Sequence, residues 1–111
     1  MPAHHQVRIR GSRPGRITLG GVDLVFAEDR LACPTAVPVR ALAAALYAQG
    51  IDAAAVAEIS PGLAAPCRLV RFDTHGNRFV IEEPLPELIA LLKLARFESA
   101  VHKQGYEVER L

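Results

Sequence analysis

The stretch at 68–105, RLVRFDTHGNRFVIEEPLPELIALLKLARFESAVHKQG, constrains the fold more than any other part of the chain. Two strand-like runs flank the turn Thr74-His75-Gly76-Asn77, prolines mark a corner at Pro84 and Pro86, and a long amphipathic run comes next. If Asp73 pairs with Arg78, then Phe72 faces Phe79 and Val70 faces Ile81, so four apolar side chains share one face. Side chains alternate with period two along a strand, and a one-residue slip would push half of that set into water. The pattern therefore predicts this register, with Leu69, Arg71, Asp73, Arg78 and Glu82 on the opposite face.

A second hairpin signal lies at 17–26. Gly20-Gly21 supplies the positive φ angles that a two-residue turn requires, which sets Leu19 opposite Val22 and Ile17 opposite Leu24. Phe26 extends that apolar face, and Arg16, Thr18, Asp23 and Val25 look the other way. Residues 28–37 read as a connection. Pro38 suits the first turn of a helix, and Val39, Leu42, Ala43 and Leu46 continue one apolar stripe to about Gln49, where Gly50 ends it. Asp52 can cap a second short helix at 53–59, closed by Ser60-Pro61-Gly62, with a loop at 60–66.

Glu82-Glu83-Pro84-Leu85-Pro86 places acid and proline where a helix N-terminus favours them, and the helix is expected over 86–104. It carries two apolar faces. One holds Leu88, Leu91, Leu92 and Ala95; the other holds Ala90, Leu94, Phe97 and Val101. A final strand is expected at 106–110.

Sliding the chain by 55 residues sets Gly20-Gly21 on His75-Gly76, Ile17 on Phe72, Leu24 on Phe79 and Gln49-Gly50 on Gln104-Gly105. The coincidence fits an internal duplication, and it also fits the similarity that any two ββα units share. The expected class is α+β: two ββα units forming a mainly antiparallel sheet with helices packed on one face. Residues 1–15 read as a basic N-terminal arm or an edge strand at 6–10. A single domain is expected at 16–111, with a ββα unit at 16–60 and a ββαβ unit at 67–111.

The chain has 111 residues, half of them hydrophobic and 23% charged, which suits one globular domain with a core and argues against disorder. A net charge of +1 predicts no strong global field. Arg8, Arg10, Arg13 and Arg16 nevertheless fall in the first sixteen residues with no acid among them. They read either as solvated charges that guard a terminus against aggregation or as an anion-binding arm. No apolar run reaches the roughly 20 residues a membrane helix needs, and the opening residues lack a signal h-region, so a cytoplasmic protein with no membrane contact is expected.

Little in the chain suggests catalysis. Cys33 and Cys67 form neither a disulfide framework nor a CxxC pair, and free buried thiols are expected of them. His4, His5, His75 and His102 have no short ligand spacing with the cysteines, so neither a metal nor another cofactor is expected. His75 beside Asp73 reads as a polar turn residue, and no glycine-rich loop joins a strand to a helix. The helix-glycine-helix outline at 42–59 resembles a DNA-binding layout, but DAAAVAEI has no Arg, Lys, Asn or Gln to read bases. No aromatic platform for single-stranded RNA is present.

The reading that remains is a small non-catalytic protein-binding module, adaptor-like or chaperone-like. It would self-associate as a homodimer through Ala90, Leu94, Phe97 and Val101, because one sheet cannot cover both faces of that helix. The alternative is a nucleic-acid or anion binder using Arg8, Arg10, Arg13 and Arg16.

Overall fold

The computed structural model describes residues 4–12, 14–100 and 104–111. In chain order the elements are β1 (His4–Ile9), β2 (Gly15–Leu19), β3 (Val22–Ala27), β4 (Arg30–Pro34), α1 (Val39–Ala48), β5 (Val56–Ile59), β6 (Pro66–Phe72), β7 (Arg78–Pro86), α2 (Glu87–Glu98) and β8 (Gly105–Arg110). Short 3-10 turns occupy Ala53–Ala55 and Pro61–Leu63. The class is α+β with antiparallel pairing throughout, but the strands form two sheets. One has five strands in the order β2-β3-β4-β1-β5, and the other has three in the order β7-β6-β8. A single buried cluster joins them: Val7, Ile9, Leu24 and Leu31 from the larger sheet, Leu42 and Leu46 from α1, Leu88 and Leu92 from α2, and Cys67 and Leu69 from β6.

The first hairpin forms in the expected register, Ile17 opposite Leu24 and Leu19 opposite Val22, with Gly20 and Gly21 at φ +54° and +81°. A two-residue turn that only glycine adopts cheaply leaves no freedom to slip. The second hairpin departs from the expected register. Phe72 pairs with Arg78, Arg71 with Phe79, Val70 with Val80 and Leu69 with Glu82. Asp73 is the reason, because it belongs to the turn and not to the ladder. Its Oδ1 accepts hydrogen bonds from the backbone N–H of His75 at 2.8 Å and of Asn77 at 2.9 Å, and its own N–H donates to the Asn77 carbonyl. An Asx turn therefore closes the loop one rung early. Ile81 has no partner between the Leu69 and Val70 rungs, so it is the extra residue of a β-bulge.

The slip also inverts β6. Cys67 and Leu69 face the helices in the main core, whereas Val70 is fully buried but lies outside that cluster. Arg78 and Glu109, on the strands flanking β6, form an ion pair. They sit on the Phe72 and Arg68 rungs, either side of Val70, and bridge β6 above it.

Three further expectations are corrected. β1 is neither an arm nor an edge: it lies between β4 and β5 and pairs with both. The supposed connection at 28–37 contains β4, whose Leu31 and Cys33 are fully buried. The second short helix at 53–59 is one 3-10 turn capped by Asp52, followed by β5, where Val56 and Ile59 pair with Ile9 and Val7. Branched side chains at 56 and 59 suit a sheet position, and that tertiary pairing outweighs the helical preference of the alanines.

The two helices start alike, each after a proline with φ −59° and ψ 141°. Pro38 and Pro86 are 48 residues apart, however, whereas the hairpin turns are 55 apart. The gapless match of both hairpins and both helix ends is therefore not found; α2 ends at Glu98, and Gly105 opens β8. Among the described residues no helix is long and apolar enough to cross a membrane.

Candidate functional site

The feature that stands out is the open edge of the three-stranded sheet. β8 occupies one side of β6, which makes β6 the central strand and, among the described residues, leaves β7 with a neighbour on one side only. Every residue from Arg78 to Pro84 is exposed. Phe79, Val80 and Ile81 are 43%, 43% and 40% exposed, and they make up three of the five exposed large apolar residues among those described. An edge strand presents unpaired backbone N–H and C=O groups, and natural sheets usually guard such edges with charge, brevity or proline. The other three edges are guarded in this way: β2 shows Arg16 and Thr18, β5 has only four residues, and β8 carries Glu107 and Glu109. On β7 the guards stand only at the two ends of the run, Arg78 before it and Glu82-Glu83-Pro84 after it.

Each charge at those ends has a place on one of the sheet faces. Arg78 reaches Glu109, and Glu83 lies 3.1 Å from Arg68, both pairs on the face of Val70 and away from the helices. Glu82 lies on the helix side and accepts from Lys93 Nζ at 2.7 Å. Phe79 is on that side too, with the Arg71 guanidinium 4.8 Å above its ring. Farther across this face Phe97 stacks on Tyr106, with ring centroids 4.8 Å apart.

The second face of α2 has a different fate from the one expected. Ala90 and Leu94 are buried within the chain itself, because α1 packs along α2 and the three strands lie beneath it. Tyr47 on α1 and Ser99 at the end of α2 share a hydrogen bond of 2.8 Å, which ties the two helices together. Phe97 is half-buried against Tyr106. Val101 lies outside the described residues. The uncovered stripe that pointed to a partner at Ala90, Leu94 and Phe97 is thus supplied with cover by this chain.

Of the N-terminal arginines, Arg10 and Arg16 line one cavity and Arg8 lies apart from it. Arg8 donates to Asp29 at 2.9 Å and lies 3.5 Å from Glu58; its pairing raises the guanidinium pKa, and Arg8 in turn holds the Asp29 carboxyl below its usual range. Arg16 is 3.6 Å from Asp23. Arg10 donates to the Ala54 carbonyl at 2.8 Å and, with Arg16, lines an open cavity of about 500 Å³ whose other walls include Ile9, Ser12, Phe26 and Ile51. Arg13 lies outside the described residues.

Cys33 and Cys67 are free and buried, and burial is the leading cause that pushes both thiols up, away from the reactive thiolate. His75 sits in the Asx turn, where Asp73 binds its backbone and not its ring; His102 lies outside the described residues. No group of three or more metal-ligating side chains converges among the described residues. The carboxyl of Asp73 is held below its usual range, chiefly by the side-chain and backbone hydrogen bonds from Asn77. No family model, curated protein or solved structure matches the chain.

Proposed function

We propose that this chain is a small non-catalytic protein-binding module, and that its docking surface is the exposed edge at 78–82 on β7 rather than α2. One observation carries the reading: three consecutive large apolar residues, Phe79, Val80 and Ile81, stand exposed on a strand whose outer side has no neighbour among the described residues. Such an edge binds an extended segment by adding it to the sheet, with backbone hydrogen bonds giving affinity and alternate side chains giving selectivity. The test is recovery of bound protein from the native cell with wild-type chain and with Val80→Lys. Loss of that protein on substitution is expected, and equal recovery would contradict the reading.

A second reading keeps anion binding, now centred on Arg10. Its guanidinium has a carbonyl partner, and no carboxylate among the described residues pairs with it, while Arg8 has two and Arg16 has one. Because β1 is an interior strand, point substitution and not truncation is the suitable probe. Salt-sensitive retention on heparin that falls with Arg10→Ser supports this reading, and retention unchanged by that substitution contradicts it.

A further inference from the structure

We infer that the segment accepted by β7 is β7 of a second copy, paired antiparallel about a two-fold axis between Val80 and Ile81. This inference rests on the reading of the β7 edge as the docking surface. In that register Arg78 of one copy stands opposite Glu83 of the other, Phe79 opposite Glu82, and Val80 opposite Ile81.

The faces agree as well as the charges. Arg78 and Glu83 both lie on the sheet face away from the helices, since their ion-pair partners Glu109 and Arg68 are there. Phe79 and Glu82 both lie on the helix face, marked by Arg71 and Lys93. Opposed residues of an antiparallel ladder must share a face. In an unbroken strand, Arg78 and Glu83 would point to opposite faces. The bulge at Ile81 resets the alternation and brings them onto the same one.

The charge order is what selects a second copy over an unrelated strand. A cation at the start of the open run and anions at its end become complementary when the same segment is read in the reverse direction. On the helix face the Arg71 guanidinium above Phe79 meets the Glu82 carboxylate of the other copy, so both faces bring a cation to an anion. The contact is isologous and uses up the edge that makes it, so it closes at two copies and does not continue as a fibre. Pro84 stops the ladder from extending farther along β7, because it has no N–H to contribute.

The test is the mass in solution by light scattering across micromolar to millimolar protein, with circular dichroism to verify folding. The wild-type chain is expected at twice its 12.0 kDa mass at the upper concentrations. Val80→Lys places two ammonium groups beside the axis and yields folded monomer. Arg78→Glu and Glu83→Arg each set like charges opposite one another and raise the dissociation constant at least tenfold. An equimolar mixture of those two variants restores the dimer as a heterodimer, because the carboxylate introduced at position 78 of the first then meets the guanidinium introduced at position 83 of the second. A wild-type monomer at every concentration, a dimer that survives Val80→Lys, or a mixture no tighter than its components would overturn the inference. A monomeric wild type whose co-purifying protein is lost on Val80→Lys sinks the second copy alone; a monomer with recovery unchanged sinks the docking edge too.

Discussion

β3 and β7 carry the same pattern of apolar residues and meet opposite fates. With the two hairpin turns aligned, Leu24, Val25 and Phe26 correspond to Phe79, Val80 and Ile81. Val25 and Val80 are about equally exposed, at 46% and 43%, but Leu24 and Phe26 are 0% and 6% exposed against 43% and 40% for Phe79 and Ile81. The cause lies in the element that comes after each strand. After β3 the chain turns back as β4, which pairs with β3 and carries Leu31 into the core. After β7 it runs directly into α2, and the third strand of that sheet, β8, arrives on the far side of β6. Hydrophobic content alone therefore does not decide burial in an edge-forming hairpin. The neighbours that each strand acquires matter as well, both the third strand and the elements packed on its face.

The largest effect that could break this contrast is on α2. Leu94→Glu puts an uncompensated carboxylate into a side-chain site that is 4% exposed, and the chain is expected to lose its cooperative fold, seen as loss of the thermal transition. A folded Leu94→Glu monomer would mean that α2, and not β7, presents the free surface. Next is the paired substitution across the comparison itself. Leu24→Ala, in the sheltered strand, should cost about 2–5 kcal/mol in denaturant unfolding, the range for truncating a buried leucine. Phe79→Ala, at the corresponding place on the open strand, should cost about 1 kcal/mol or less when measured on dilute protein. Equal costs would show that the two strands are sheltered alike.

The smallest expected effect concerns the turns. Asp73 has its folded-state pKa depressed by the Asn77 hydrogen bonds, so the unfolded chain takes up the proton first as pH falls. Its contribution is fully present above the ordinary carboxylate value of about 4 and is lost as pH drops through the lower folded value. Asp73→Asn keeps an acceptor for the Asx turn and should flatten the acid limb of the stability profile. Asp29 carries the same sign through Arg8, so the flattening is partial. The glycine turn between β2 and β3 carries no titratable side chain at Gly20 or Gly21.

Local chemistry made one half of this fold readable and left the other half ambiguous. Gly20-Gly21 admits one turn length, so the register of β2 and β3 followed from two residues. Thr74-His75-Gly76-Asn77 admits several, and the choice fell to the Asp73 side chain, which a pattern of apolar alternation does not weigh. The run Arg68-Leu69-Val70-Arg71-Phe72 has apolar residues at both parities, so only the packing of Cys67 and Leu69 against the helices fixes which parity faces in. β1, β4 and β5 depend on pairings between distant parts of the chain, such as Val7 with Leu31 and Ile59. The alanines at 53–55 favour helix locally, and nothing nearby announces the strand after them. The β7 edge was hidden for the same reason: Phe79 and Ile81 look like core residues until the place of β8 is known.

Amide hydrogen exchange as a function of protein concentration reads the pairing of the β7 edge itself. Between micromolar and millimolar protein, protection of the amides at 79–82 should rise with the fraction of dimer, while the amides of β3 keep one rate throughout. Protection at 79–82 that stays constant across that range, or a rise that appears in α2 or at another edge instead, would contradict the account.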